Sequence, residues 1–149
     1  MSEEIKKIVC ATIGSESCKR AEDKAIALAQ EWDAELVFLY VVDSSFLGSV
    51  SREIHGARTL SKGLHNIGEI ILGNVKKKAE DKNIQAETRI VEGTAHEEIE
   101  KAVTEYSADL LVIGSEKRGW INEYLIKGGV YDFVEDMREK TGAEVMVVD

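Results

Sequence analysis

From one end to the other the chain switches between two apolar periodicities, and any fold it adopts has to satisfy both. Ile5 to Ile13 is an apolar, β-branched run that reads as a strand, and Gly14 ends it. Cys18, Ala21, Ala25, Leu28, Ala29 and Trp32 then recur at three- and four-residue spacing, the stripe of an amphipathic helix. Glu35 to Val42 is almost continuously apolar, as expected of a parallel strand covered on both faces. The alternation repeats. After a polar stretch from Asp43 to about Arg58, the spacing of Leu60, Leu64, Ile67, Ile71, Val75 and Ala79 predicts a long second helix, which Gly63, Gly68 and Gly73 weaken. Ile84 to Val91 alternates apolar with polar and predicts a half-exposed strand near a sheet edge. Thr94 and Glu97 have the spacing of a capping box at the start of a third helix, whose buried face carries Ala95, Ile99, Ala102, Val103 and Tyr106. Asp109 to Ile113 is a fourth strand. Val130, Phe133, Val134 and Met137 mark a fourth helix that Gly142 stops, and Glu144 to Val148 is a last strand.

A strand–helix unit repeated four times and closed by a strand selects the α/β class with a parallel sheet. No proline-rich or low-complexity linker interrupts it, so residues 1–149 are expected to form one domain, a size that buries roughly two-thirds of the unfolded surface. A net charge of −9 argues against a nucleic-acid binder. The one basic run, Lys76-Lys77-Lys78, has acidic neighbours and reads as a solvated helix face. Cys10 and Cys18 are too few and wrongly spaced for a disulfide framework, and buried, reduced thiols point to the cytoplasm. The N-terminus shows no signal-peptide pattern, and no apolar run is long enough to span a membrane.

In an open sheet of this kind ligands bind outside the carboxyl ends of the strands, where the winding reverses. Strand one is one side of that reversal. The long glycine-bearing loop after strand four makes that strand the other, and the crevice then lies between Thr12-Ile13-Gly14 and Gly114-Ser115-Glu116-Lys117-Arg118-Gly119. Glycines let a ligand approach the backbone, amides donate to phosphate oxygens, and Lys117 and Arg118 supply opposite charge. The same residues also read as strand-end, turn and cap glycines with solvated charges. Trp120, Ile121, Tyr124 and Leu125 have helical spacing within the loop and read as packing residues.

The blocks KKIVCATIGSES, LVFLYVVD, ADLLVIGSEKRG and GGVYDFV, with AEVMVVD at the end, resemble the universal stress protein family along nearly the whole chain, and their order is the specific feature. The resemblance implies an open five-stranded sheet of order 3-2-1-4-5 with helices on both faces, and a homodimer; the exposed apolar edge of strand five, Glu144 to Val148, is a template for pairing with a second copy. It also implies a choice between a branch that binds ATP and one that does not. The binding branch carries Gly-x-x-Gly, nine further residues, and Gly followed by Ser or Thr. Here Gly114 fits the first glycine, but Lys117 occupies the second position unless Gly119 replaces it. Counting from Gly119, Gly128 comes one residue early, whereas Gly129 restores the spacing but is followed by Val130. Ile13 stands where the binding branch has an aspartate that holds the adenosine, and Val41 matches a nucleotide-contacting position while being equally a core residue.

The resemblance therefore implies an adenine-nucleotide site at Thr12, Ile13, Gly14, Val41, Gly114, Ser115, Arg118, Gly119, Gly128, Gly129 and Val130, set against a dimer that acts through protein partners. A third alternative is an ATP-dependent enzyme of the pyrophosphatase-loop type at Thr12 to Ser17, against which a serine-rich helix start reads as an N-cap. Gly114 to Gly119 has P-loop glycine spacing, but Trp120-Ile121 replaces Lys-Ser/Thr, and no Walker A site follows. His55, His65 and His96 are dispersed, share no ligand spacing with the cysteines, and are expected at the surface. No hydrolase elbow or zinc-protease helix is present, and no catalytic constellation emerges.

Overall fold

Alternate residues of each strand belong to opposite cores, which is how one sheet carries helices on both faces. The computed structural model describes residues 5–13, 16–43, 54–115 and 129–148. Its elements are β1 (Lys7–Ala11), α1 (Glu16–Trp32), β2 (Glu35–Asp43), α2 (Ile54–Glu80), β3 (Ala86–Gly93), α3 (Ala95–Glu105), β4 (Leu110–Gly114), α4 (Gly129–Thr141) and β5 (Glu144–Val148). All pairings are parallel and the order is β3-β2-β1-β4-β5. Ile8, Cys10, Leu36, Phe38, Leu110 and Val112 pack with the apolar faces of α1 and α2. Val9, Ala11, Val37, Leu39, Leu111 and Ile113 pack with α3 and α4 on the other side. The winding reverses between β1 and β4, as expected from the loop after strand four, and β3 is the expected edge strand.

The helices end alike. Asp33, Asn83, Ser107 and Gly142 all have positive φ, and each lies just beyond a helix. After the first three the chain closes with the same bond, Ala34 N–H to Ala29 C=O at 3.0 Å, Ile84 to Ala79 at 2.9 Å and Ala108 to Val103 at 2.9 Å. This i to i−5 bond is the signature of a Schellman ending. Asp109 then clasps β4 to β1, its carboxylate accepting the Lys6 and Lys7 amides at 2.9 and 3.1 Å.

Four expectations need correction. Thr94 does precede α3 in an extended conformation, but its side chain makes no capping bond. Glu97 is exposed and the Glu98 carboxylate lies against Gly93 instead, so the box is a backbone turn without its reciprocal side-chain bonds. On α2 the buried line runs through Gly68, Leu72, Val75 and Ala79, which leaves Ile67 49 % exposed. Gly68 explains that rotation: a Cβ there would lie 2.6 Å from the Tyr40 ring, so this glycine admits the ring under the helix. Trp32, placed on the buried stripe of α1, is 39 % exposed at the helix end. Lys78 is not part of a solvated face, because it pairs with buried Glu22 at 3.2 Å and with Asp23 at 2.9 Å. Among the described residues no helix is long and apolar enough to cross a membrane.

Candidate functional site

The carboxyl ends of β1 and β4 meet the first turn of α1. The register Cys10 to Val112 fixes their alignment, and Gly114, at the end of β4, lies directly against that turn. A Cβ on Gly114 would come within 2.8 Å of the Cys18 nitrogen, the Ser17 carbonyl carbon and the Ser17 Oγ, so only glycine lets this strand end approach the helix so closely. Ser17 is 4 % exposed, and among the described residues its hydroxyl is the buried side-chain polar atom with no hydrogen-bond partner. Such an orphan calls for a functional account, since buried hydroxyls are nearly always paired. Ser115 follows Gly114 and donates its amide to the Val148 carbonyl at 2.9 Å, which extends the pairing of β4 with β5 past the strand end.

On the β1 side, Thr12 is buried and donates its amide to Leu39 O at 2.9 Å. Its hydroxyl donates to Glu22, which receives the Lys78 ammonium on its other oxygen at 3.2 Å. Thr12 is therefore tied into a buried polar network under α1. Burial alone lowers the Lys78 pKa, but hydrogen bonds and charge from Asp23 and Glu22 outweigh it and raise the group above the ordinary lysine value. A groove of about 320 Å³ lined by Lys19, Glu22, Ile71, Asn74, Val75 and Lys78 borders this network, between α1 and α2. Ile13 is half-buried and packs on the core beneath α3 and α4. Val41 belongs to that core too, buried at 7 % exposure and paired with Val91.

Of the residues singled out in the sequence, the structure thus places Thr12, Ile13, Gly114 and Ser115 at the ends of β1 and β4, and Val41 in the core beneath α3 and α4. Gly129 and Val130 are the first two residues of α4. Gly14, Lys117, Arg118, Gly119, Gly128 and the aromatic loop residues lie outside the described residues. Both cysteines are buried as expected, and burial pushes the Cys10 thiol well up. Glu22 was missed by sequence reasoning although it left a signal. It sits on the same stripe as Cys18, Ala25 and Ala29, and a carboxylate there has to find a partner indoors. His96, expected at the surface, has a side chain only 17 % exposed and 2.9 Å from Asp136.

Residues 4–147 match the sequence profile of the universal stress protein family. Universal stress protein MJ0531 of Methanocaldococcus jannaschii is 34 % identical over 122 residues, which cover 81 % of this chain and 71 % of that protein. The structure of hypothetical protein MJ0577 superimposes with a TM-score of 0.75 at 25 % identity, covering 98 % of this chain and 96 % of the other. A universal stress protein solved in complex with cAMP gives a TM-score of 0.66 at 22 % identity, covering 99 % and 98 %.

Proposed function

Because this chain belongs to the universal stress protein family, we propose that it is a cytoplasmic, homodimeric binding module that takes an adenine nucleotide, ATP foremost, in the crevice between β1 and β4. The observation that carries this reading is the orphaned Ser17 hydroxyl on the first turn of a 17-residue helix, against a glycine that a Cβ would displace. A helix N-terminus, a hydroxyl donor and close backbone approach together suit a phosphate oxygen. In this reading Gly114 and Ser115 bring backbone to the phosphates, Gly129 and Val130 add the amides of a second helix start, and Arg118, Gly119 and Gly128 complete the cradle. Thr12, Ile13, Gly14 and Val41 form the adenosine side. The cAMP complex of a protein with this fold supports the ligand class. No catalytic step is assigned. The Thr12 hydroxyl is committed to Glu22, which removes it from a pyrophosphate loop of the enzyme type.

Isothermal titration of the full chain with ATP is expected to give saturable heat. Ser17→Ala should weaken it about ten- to hundredfold, the worth of a hydrogen bond to a charged oxygen. Ile13→Asp should tighten it by a similar factor by restoring a polar partner for the ribose. No heat at high protein concentration, with no nucleotide co-purifying, overturns the reading. One observation favours a second function. Ile13 packs inward on the core that also holds Val41, so an apolar wall there suits a dimer acting through protein partners. Under that reading Ile13→Asp binds no better than the parent chain.

A further inference from the structure

Between α3 and α4, three donor groups converge that the nucleotide reading does not use. His96 and Glu100 are four residues apart on α3 and share one of its faces, and Asp136 meets them from α4. The His96 Nε2 lies 2.9 Å from the Asp136 Oδ2. One donor atom from each of the three residues falls within 4.8 Å of the others. Phe133, fully buried, meets the imidazole edge-on with ring centroids 5.4 Å apart, which limits how the ring can turn. Two carboxylates side by side need a cation. Here the Lys140 ammonium serves, 3.3 Å from Asp136 and 3.8 Å from Glu100, on a side chain that is half exposed. A long, solvated stem can withdraw its charge into water at little cost.

We propose that His96, Glu100 and Asp136 form a binding site for a divalent first-row transition-metal ion, zinc foremost, which displaces the Lys140 ammonium and ties α3 to α4. An imidazole nitrogen with two carboxylate oxygens is a zinc donor set, whereas calcium and magnesium take oxygen alone. In a tetrahedral site with bonds of about 2.0–2.2 Å the donors stand roughly 3.4 Å apart. The His96–Asp136 pair at 2.9 Å therefore opens slightly, and with all three donors already within 4.8 Å of one another the adjustment is within the reach of side-chain rotation. Three protein donors leave a fourth position for water. The α3–α4 site shares no residue with the crevice proposed between β1 and β4.

The test uses the metal-free full chain, titrated with Zn²⁺ against a chromogenic chelator and with Co²⁺ followed by its visible absorption. One equivalent per chain, an intense tetrahedral cobalt band and a thermal midpoint raised by Zn²⁺ but not by Mg²⁺ are expected. His96→Gln and Asp136→Asn, with circular dichroism unchanged, should weaken binding at least about tenfold. Lys140→Gln should strengthen it about two- to fivefold, because a half-exposed ammonium competitor is worth no more than that. Absence of saturable binding, or binding that survives intact in the folded His96→Gln chain, overturns the proposal. Unchanged or weaker affinity in Lys140→Gln overturns the displacement of the ammonium.

Discussion

Single atoms decide what the glycines of this chain are for. Gly63 and Gly73 have open space where a Cβ would stand, while Gly68 faces the Tyr40 ring and Gly114 the backbone of α1. Alanine at Gly63 or Gly73 should therefore stabilise the protein by about 0.5–1 kcal/mol through helix propensity and a less free unfolded chain. Alanine at Gly114 should cost about 1–3 kcal/mol by overpacking, and at Gly68 the clash should exceed the propensity gain. Urea denaturation of the four variants reads the sign of each. Lys78 is decided at the same scale. Its ammonium holds its proton more tightly folded than unfolded, so its stabilisation is complete below the ordinary lysine value of about 10.4 and is lost as pH rises through the higher folded value. Lys78→Met should cost about 1–3 kcal/mol near neutrality by leaving the Glu22 carboxylate with less hydrogen bonding. The gap between parent and variant in urea midpoint should then narrow above about pH 10.5.

At the scale of the element, the helix ends show which signals a sequence carries openly. Gly142 announced the end of α4 because glycine is the residue that takes positive φ without strain. Asp33 and Asn83 bear the same conformation with side chains that tolerate it. Ser107, at φ 51°, has the least local compensation, yet α3 stops there because the Ala108 amide closes on Val103. Ser107→Gly is expected to raise stability by about 0.5–1 kcal/mol, the strain relieved less the extra freedom of the unfolded glycine. Thermal denaturation measures it, and a lowered midpoint would show that the serine is not strained. The bounds of β3 shifted two residues from the sequence expectation because register with β2, from Leu36–Ala86 to Asp43–Gly93, sets that strand's length, and register lies outside local pattern.

For the whole molecule, the two sheet edges differ in how they are protected. The edge strand β3 carries Glu87, Arg89 and Glu92, while β5 is apolar after Glu144. Charge blunts an edge and apolar sequence invites pairing, so we propose β5 as the edge through which a second copy would pair. Sedimentation of the full chain at micromolar concentration should return a dimer, and a monomer there would remove this assignment.

The periodicities of the chain were sufficient for its class and its element order, because each depends on neighbours within a few residues, whereas the place where the winding reverses was expected from the glycine-bearing loop after strand four and from the family resemblance, and depends on strand order. Gly114 was legible as a strand-end glycine, and Ile13 and Val41 as apolar wall residues, for the same reason. Other features rest on contacts between segments far apart in sequence: the seat of Gly114 on the Ser17 turn, the Thr12–Glu22–Lys78 network, and the meeting of His96 with Asp136. Spacing within one helix can show that Glu22 and Glu100 point the same way as their neighbours. Only the packing of helix on sheet and helix on helix determines which distant charge or hydroxyl they find there.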